Sequence, residues 1–265
     1  MTSPDAPAFV PDPAVAARSQ MAAFVAFCAE RAGAPREWAP FSRWAAAEWR
    51  TFWACFVEWA APIVEGDAEP VCVGDDVETA RFFPKLRLSY VENLLRPLGS
   101  EAEDDVALIA RDETGRRVQL TRAELRRRVE AVARRLAQLG VGVGTRVAAI
   151  ARNDEAAVVA CLAATGLGAT WSSIGPDQGA PSVLARFQQF EPALLFAVGS
   201  HPYQGVAKPL AERLQTIVAG LPTVRALVAL DRDEAALAGL DRPVHTLAGL
   251  EGAGRSLPPV AWPRL

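Results

Sequence analysis

Residues able to do chemistry are sparse in this chain, and one loop stands out among them. It reads Ser172-Ser173-Ile174-Gly175-Pro176-Asp177-Gln178-Gly179. It continues a short apolar run, Ala169 to Ile174, and precedes an amphipathic stretch that starts near Pro181. Strands separated by helices indicate a parallel sheet, and such sheets bind ligands beyond the carboxyl ends of their strands. That rule makes Ser172–Gly179 the first place to look for function.

Other chemistry finds little footing. Cys28, Cys55, Cys72 and Cys161 are widely spaced with no CxxC pair, and the only histidines are His201 and His245. A zinc site is not expected, and the thiols read as the isolated, reduced cysteines of a cytoplasmic protein. A Ser/His/Asp triad lacks a G-x-S-x-G elbow. Gly140-Val-Gly-Val-Gly144 resembles half of a dinucleotide fingerprint, but it follows a helical stretch and opens a strand, the reverse of the required context. Gly140 is better read as a helix stop. Asp75-Asp76 and Asp104-Asp105 lie in loops and read as solvated charge. With 28 basic and 31 acidic side chains the net charge is −3, which argues against nucleic acid or an anionic membrane as partner. No apolar run approaches the ~18 residues of a membrane span. The N-terminal stretch lacks the basic start and apolar core of a secretory signal.

The elements that must position the loop follow from periodicity. Residues 1–13 are proline-rich and read as an extended arm. Ala14 to Ala32 predicts a helix stopped by Gly33, and about Pro40 to Ala61 a second. In the second, Trp49, Trp53, Phe56 and Ala60 share one face, read as an aromatic bolt onto a larger body in preference to a ligand cage. Gly66 to Ala80 reads as a surface connection. Ser89 with Glu92, and Thr121 with Glu124, have capping-box spacing. Val106–Ala110 and Arg116–Leu120 predict a hairpin turning at Thr114-Gly115. The helix from Thr121 to Leu139 buries Leu125, Val129, Val132, Leu136 and Leu139, and its arginines read as a solvated face. Strands are expected at 146–151, 169–174, 193–198 and 224–230, with helices at 154–165, 181–190 and 207–220 between them. The strand 169–174 is read as a sheet interior, apolar on both faces. Beyond Asp231 the pattern weakens, and Gly252 to Leu265 is expected to be irregular. The fold class is α/β, a doubly wound, mainly parallel sheet flanked by helices. Residues 1–97 form an arm and a Trp-rich helical appendage, and residues 98–265 form the sheet subdomain.

Three stretches carry a resemblance. They are FFPKLRLSYVENLLRP, the run LTRAELRRRVEAVARRLAQLGVGVGTRVAAIARNDEAAVVACLAATGLGATWSSI, and TWSSIGPDQGAPSVLARFQQFEPALLFAV. Together they resemble the N-terminal part of acetoacetyl-CoA synthetase-like enzymes, within the adenylate-forming acyl-CoA synthetases. The resemblance covers roughly residues 40–230. It implies an AMP-forming acid–CoA ligase: a short carboxylate attacks the α-phosphate of ATP, and the CoA thiol then displaces AMP. It also implies that the loop Gly175, Pro176, Asp177, Gln178 and Gly179 lines the CoA entry channel, with Lys208 positioned to meet a CoA phosphate. The alternative is that the loop is a plain βα turn and Lys208 a surface charge. The Ser/Thr/Gly-rich phosphate loop ending in lysine, the metal-binding acid, the ribose aspartate and the mobile domain with its catalytic lysine have no counterpart in this sequence. No catalytic or metal-binding residue is therefore expected here, and ATP, CoA and magnesium would bind only once the missing region is supplied. The expected partner is a complementary polypeptide carrying that machinery, or failing that a second copy. A competing reading is a catalytically inactive truncated homologue that serves as a binding or assembly module.

Overall fold

The computed structural model describes residues 9–97, 102–231 and 234–265. Most of the expected N-terminal arm and the start of the acidic loop at Gly99 lie outside the described residues. The chain divides into two compact units, Met1–Arg87 and Leu88–Leu265. The division falls after Arg87 rather than after Pro97. The helix Tyr90–Leu94 belongs to the second unit because its Val91 is buried in that unit's core.

The first unit is helical. The expected helix over 14–32 is split into Pro13–Ala16 and Gln20–Ala32, because Ser19 Oγ accepts the Ala22 N–H at 3.1 Å and starts a new helix. Gly33, at φ +68°, ends it. The expected second helix is also two, Trp38–Ala47 and Trp49–Ala60, interrupted at Glu48. Phe24 lies at the centre, its ring 5.2–6.3 Å from those of Phe41, Phe52, Phe56 and Trp59. The face expected to be buried is corrected. Phe52, Cys55 and Trp59 pack inward, while Trp53 is 37% and Phe56 38% exposed. Arg50, Thr51 and Glu58 mark the polar side of this helix, and aromatics are spread round the rest of it, so the pattern did not single out which of them point inward. Within Gly66–Ala80, Gly66 and Cys72–Val73 belong to short antiparallel pairings, Glu65–Gly66 with Leu86–Arg87 and Cys72–Val73 with Arg81–Phe82.

In the second unit a parallel sheet is built from β1 (Arg146–Ile150), β2 (Thr170–Ile174), β3 (Leu194–Ala197), β4 (Ala226–Ala229) and β5 (Val244–Thr246). The spatial order is β5-β4-β3-β1-β2. The helices are α1 (Arg122–Gln138), α2 (Glu155–Gly166), α3 (Ala180–Phe190), α4 (Ala211–Ala219) and α5 (Leu247–Gly254). β3 is buried at every position, and β1 and β4 are buried after their first residues, Arg146 and Ala226, as crossovers on both sides require. The Thr121–Glu124 box is complete: Thr121 Oγ1 accepts the Glu124 N–H at 3.1 Å, and Glu124 accepts the Thr121 N–H at 2.9 Å. At Ser89 only half forms, because the Glu92 carboxylate is taken by Arg264. The hairpin is present as Val106–Arg111 with Arg117–Thr121.

Three expectations are corrected here. The strand 169–174 is not interior; β2 is a terminal strand of the sheet, half-buried along its length. The helix expected from 207 begins at Ala211, because Val206–Pro209 pairs with Ser200–Tyr203 as a second hairpin. The region beyond Asp231 is ordered by β5 and α5, and the tail is anchored. Leu88 and Leu265 exchange backbone hydrogen bonds at 3.3 and 3.2 Å. Arg264 makes a bidentate contact to Glu92 at 2.9 Å, and the Trp262 ring sits on Gly166, where a Cβ would fall 2.3 Å from it.

Candidate functional site

The sheet places two sites at its carboxyl edge. The topological switch point lies between β1 and β3, where successive connections leave in opposite directions. It is filled by the chain itself. Arg152, just past β1, donates to the Ser200 carbonyl at 3.3 Å and pairs with Asp154 at 3.3 Å and Asp231 at 3.7 Å. Asp231, past β4, accepts the Gly199 N–H at 3.1 and 3.2 Å. Asp154 also caps α2 by accepting the Ala157 N–H at 3.1 Å. These charges tie the ends of β1, β3 and β4 together.

The open site is displaced toward β2. A groove of about 830 Å³ lies among β2, α2 and the Val106–Arg111 strand, within the usual size range of ligand pockets. Its floor is apolar, from Val158, Cys161, Leu162 and Trp171, and Asn153 and Asp177 stand at its rim. The Trp171 ring reaches over the small Ala149 of β1 to Phe196 of β3, with centroids 5.6 Å apart. Burial pushes the Cys161 thiol up from its ordinary value.

The sequence-derived loop is divided by this geometry. Gly175, Pro176 and Asp177 line the groove. Gln178 donates to Asp177 at 3.2 Å, and Gly179 is the N-cap residue of α3. Arg213 of α4 holds the loop from behind, donating to the carbonyls of Pro176 at 2.7 Å and Gln178 at 3.0 Å. A Cβ on Gly175 would fall 2.4 Å from the Asp177 carboxylate, which folds back over it. Lys208 is elsewhere, on the exposed hairpin opposite His201, and does not line the groove. Sequence reasoning missed Arg213, Arg152 and Asp231. Each acts across a distance in sequence that no local pattern marks.

Beside the groove, Glu155 at the start of α2 is buried and paired with Arg116. Burial is the largest single influence and raises its carboxyl, but the Arg116 hydrogen bonds, a backbone hydrogen bond and the charges of Arg116 and Arg128 together hold it below the usual range. This pair ties the hairpin to α2. Among the described residues no group of three His, Cys, Asp or Glu side chains could hold a metal ion. Lysines stand at positions 85 and 208 alone. Lys85 faces Asp67 at 3.7 Å, in the first unit.

Comparison with known proteins decides the family. The model described as AMP-binding enzyme matches residues 99–249. This chain belongs to the AMP-binding enzyme family. Acetoacetyl-coenzyme A synthetase of Rhizobium meliloti (strain 1021) is 35% identical over 232 residues, which is 87% of this chain and 35% of that protein. Malonamoyl-CoA synthetase of Penicillium aethiopicum is 36% identical over 151 residues, 56% of this chain and 21% of that protein. The structure of acetoacetyl-CoA synthetase from Streptomyces lividans superposes with a TM-score of 0.83 at 33% identity, covering 96% of this chain and 39% of that one. This AMP-binding family member thus matches the N-terminal part of acetoacetyl-CoA synthetases and spans about a third of their length. Among its described residues no helix is long and apolar enough to cross a membrane.

Proposed function

We propose that this chain is the N-terminal part of a cytoplasmic, acetoacetyl-CoA synthetase-type ligase that activates a short carboxylic acid with ATP and transfers it to CoA. The observation that carries the reading is the superposition on the Streptomyces lividans enzyme over 96% of the chain. The chain's own contribution is architectural. It supplies a rigid sheet edge and a groove whose Gly175–Asp177 wall is pinned by Arg213, a surface along which a pantetheine arm can lie against small side chains. ATP and magnesium would be held by the part of the longer relatives that this sequence does not span. The acid is left open between at least two classes, since relatives named for acetoacetate and malonamate are about equally similar.

The test is ATP–pyrophosphate exchange with acetoacetate and malonamate. The chain alone is expected to give none, because it presents no group to hold the β- and γ-phosphates during displacement. Adding the C-terminal remainder of the Rhizobium meliloti relative is expected to restore exchange. Exchange by this chain alone would refute the reading, and failure to restore it would favour the inactive binding module.

A further inference from the structure

The arginines of α1 are expected on a solvated face, yet Arg128 and Arg134 expose only 25% and 18% of their side chains. The cause is α5. Gly254 has no Cβ, so the α5 backbone crosses directly over Ala131 of α1, where a Cβ would fall 1.8 Å from the Ala131 carbonyl oxygen. This close crossing brings Glu251 and Arg255 beside the arginine face. Between the two helices lies a cavity of about 490 Å³, lined by Arg127, Arg128, Arg134 and Arg255 together with three glutamates. Its volume is within the usual range of small-molecule sites.

Each glutamate is already committed. Glu251 accepts from Arg128 at 2.9 Å and from Arg255 at 3.0 Å. Glu130 accepts from Arg134 Nη2 at 3.2 Å, and Glu124 from the Thr121 N–H at 2.9 Å. Two sets of donors are left over. The Arg127 guanidinium forms no ion pair or hydrogen bond with the described residues; Glu103, whose carboxyl feels its charge, is held by Arg126 at 2.7 and 3.0 Å. The Nε–H of Arg134 is shut off from solvent with no acceptor, so it carries its desolvation penalty unrelieved. Arg127 and Arg134 share one face of α1, seven residues apart, with Ala131 between them. An anion seated there supplies the missing acceptors. A phosphate group offers two oxygens to the Arg127 fork and a third to Arg134, whereas a carboxylate spends both of its oxygens on one fork. The rest of such a ligand would lie against Leu120 and Ala131.

We propose that the α1–α5 crossing is a binding site for the phosphate group of a small phosphorylated molecule, held by Arg127 and by the Nε–H of Arg134. It stands apart from the ligase reading. No residue of this cavity lines the groove along β2, so a phosphate held here is not one being displaced in adenylate formation.

Inorganic phosphate is the probe, titrated into the whole chain at fixed ionic strength and read by phosphorus NMR and calorimetry. Wild type should bind it saturably in the millimolar range. Arg127→Gln changes an exposed side chain that holds no other group, so it should keep the wild-type melting temperature. It should bind phosphate about tenfold more weakly, as the loss of a hydrogen bond to a charged group implies. Arg134→Lys keeps a cation for Glu130 but removes the Nε–H, and should also weaken binding several-fold. Arg117→Gln removes the same charge from an exposed position on the Val106–Thr121 hairpin and should leave the affinity unchanged. Equal weakening by Arg127→Gln and Arg117→Gln would show attraction to bulk charge alone and overturn the site. An affinity that either Arg127→Gln or Arg134→Lys leaves unchanged overturns it as well, and so does the absence of saturable binding up to ~10 mM phosphate. Acetate that displaces phosphate at equal concentration would make the ligand a carboxylate and overturn the phosphate assignment.

Discussion

Replacing Gly254 by alanine would put a methyl carbon 1.8 Å from the carbonyl oxygen of Ala131 and 2.6 Å from its carbonyl carbon. Both are backbone atoms of α1, so no side chain can swing aside. An unstrained C···O contact is about 3.3 Å, so α5 must withdraw from α1 by roughly 1.5 Å. A gap of 0.5–1 Å already forfeits a quarter to a half of the dispersion energy across it. The surfaces that would part include Leu247 and Leu250, both buried. Overpacking of this kind costs about 1–3 kcal/mol and occasionally more. Alanine recovers up to ~1 kcal/mol of helix propensity, so the net loss is about 2 kcal/mol. Gly252 supplies the control. It lies in the same helix, its Cβ position has no atom within 4 Å, and Gly252→Ala should gain roughly 0.5–1 kcal/mol. The two variants should therefore differ by about 3 kcal/mol, or ~6–12 °C in melting temperature for a unit of this size. Thermal denaturation followed by circular dichroism reads this directly. Gly254→Ala melting at or above Gly252→Ala would refute the packing of α5 on α1.

Other consequences can be checked in the same way. Arg116→Ala leaves Glu155 buried without its cation and should destabilise the second unit by about 1–2 kcal/mol, reduced from a fully buried pair because Arg116 is half exposed; equal stability in urea would show the pair to be idle. Glu155 is held below its ordinary 4.5 by Arg116 against the effect of burial, and Glu92 by Arg264. Folded values below unfolded ones give stability that is fully present above about pH 4.5 and lost as pH falls through the lowered values; in Arg116→Ala the acid limb of the stability curve should flatten, and an unchanged limb would contradict the assignment. Among the thiols, Cys28 is pushed up to about 12 by burial and by the neighbouring Cys55. In the native chain Cys161 should be alkylated first, and Cys28 and Cys55 last. Early labelling of Cys28, read by peptide mass, would mean that the Phe24 cluster opens.

Local signals reached far along this chain, and their failures share a cause. The Thr121 box, the Gly140 stop at φ +80° and the Val106–Arg111 hairpin are each written within a few residues, and each is present. Strands β1 to β4 were legible as apolar runs between helices. Helix α5 was not, because Leu-Ala-Gly-Leu-Glu-Gly-Ala-Gly has poor helix propensity. It is set by contact: Gly254 meets Ala131, and Glu251 reaches Arg128 at 2.9 Å. The position of β2 was misread for a related reason. An apolar run shows that a strand pairs, but its place in the sheet depends on which other strands arrive, and that is a property of topology.

Topology also decides where on this scaffold a ligand could be held. In open α/β sheets the switch point is the usual crevice, because connections diverge there and leave peptide groups unmatched. Here those groups are already matched, the Ser200 carbonyl by Arg152 and the Gly199 N–H by Asp231. A ligand entering that crevice would have to break charge-assisted bonds held by partly buried groups. The groove along β2 demands no such exchange. Its walls are apolar, and the Gly175–Asp177 turn opens directly onto it. The substitution that separates the two is Asp231→Asn. It should weaken the Gly199 and Arg152 contacts and lower stability by about 1.5–3 kcal/mol, the range for hydrogen bonds to a charged group. Alkylation of Cys161 in the groove should proceed at the wild-type rate, because Asp231 does not line the groove. If Asp231→Asn changed the reactivity of Cys161 tenfold while the fold survived, the switch point and the groove would be one site, and the displacement of the site toward β2 would be wrong.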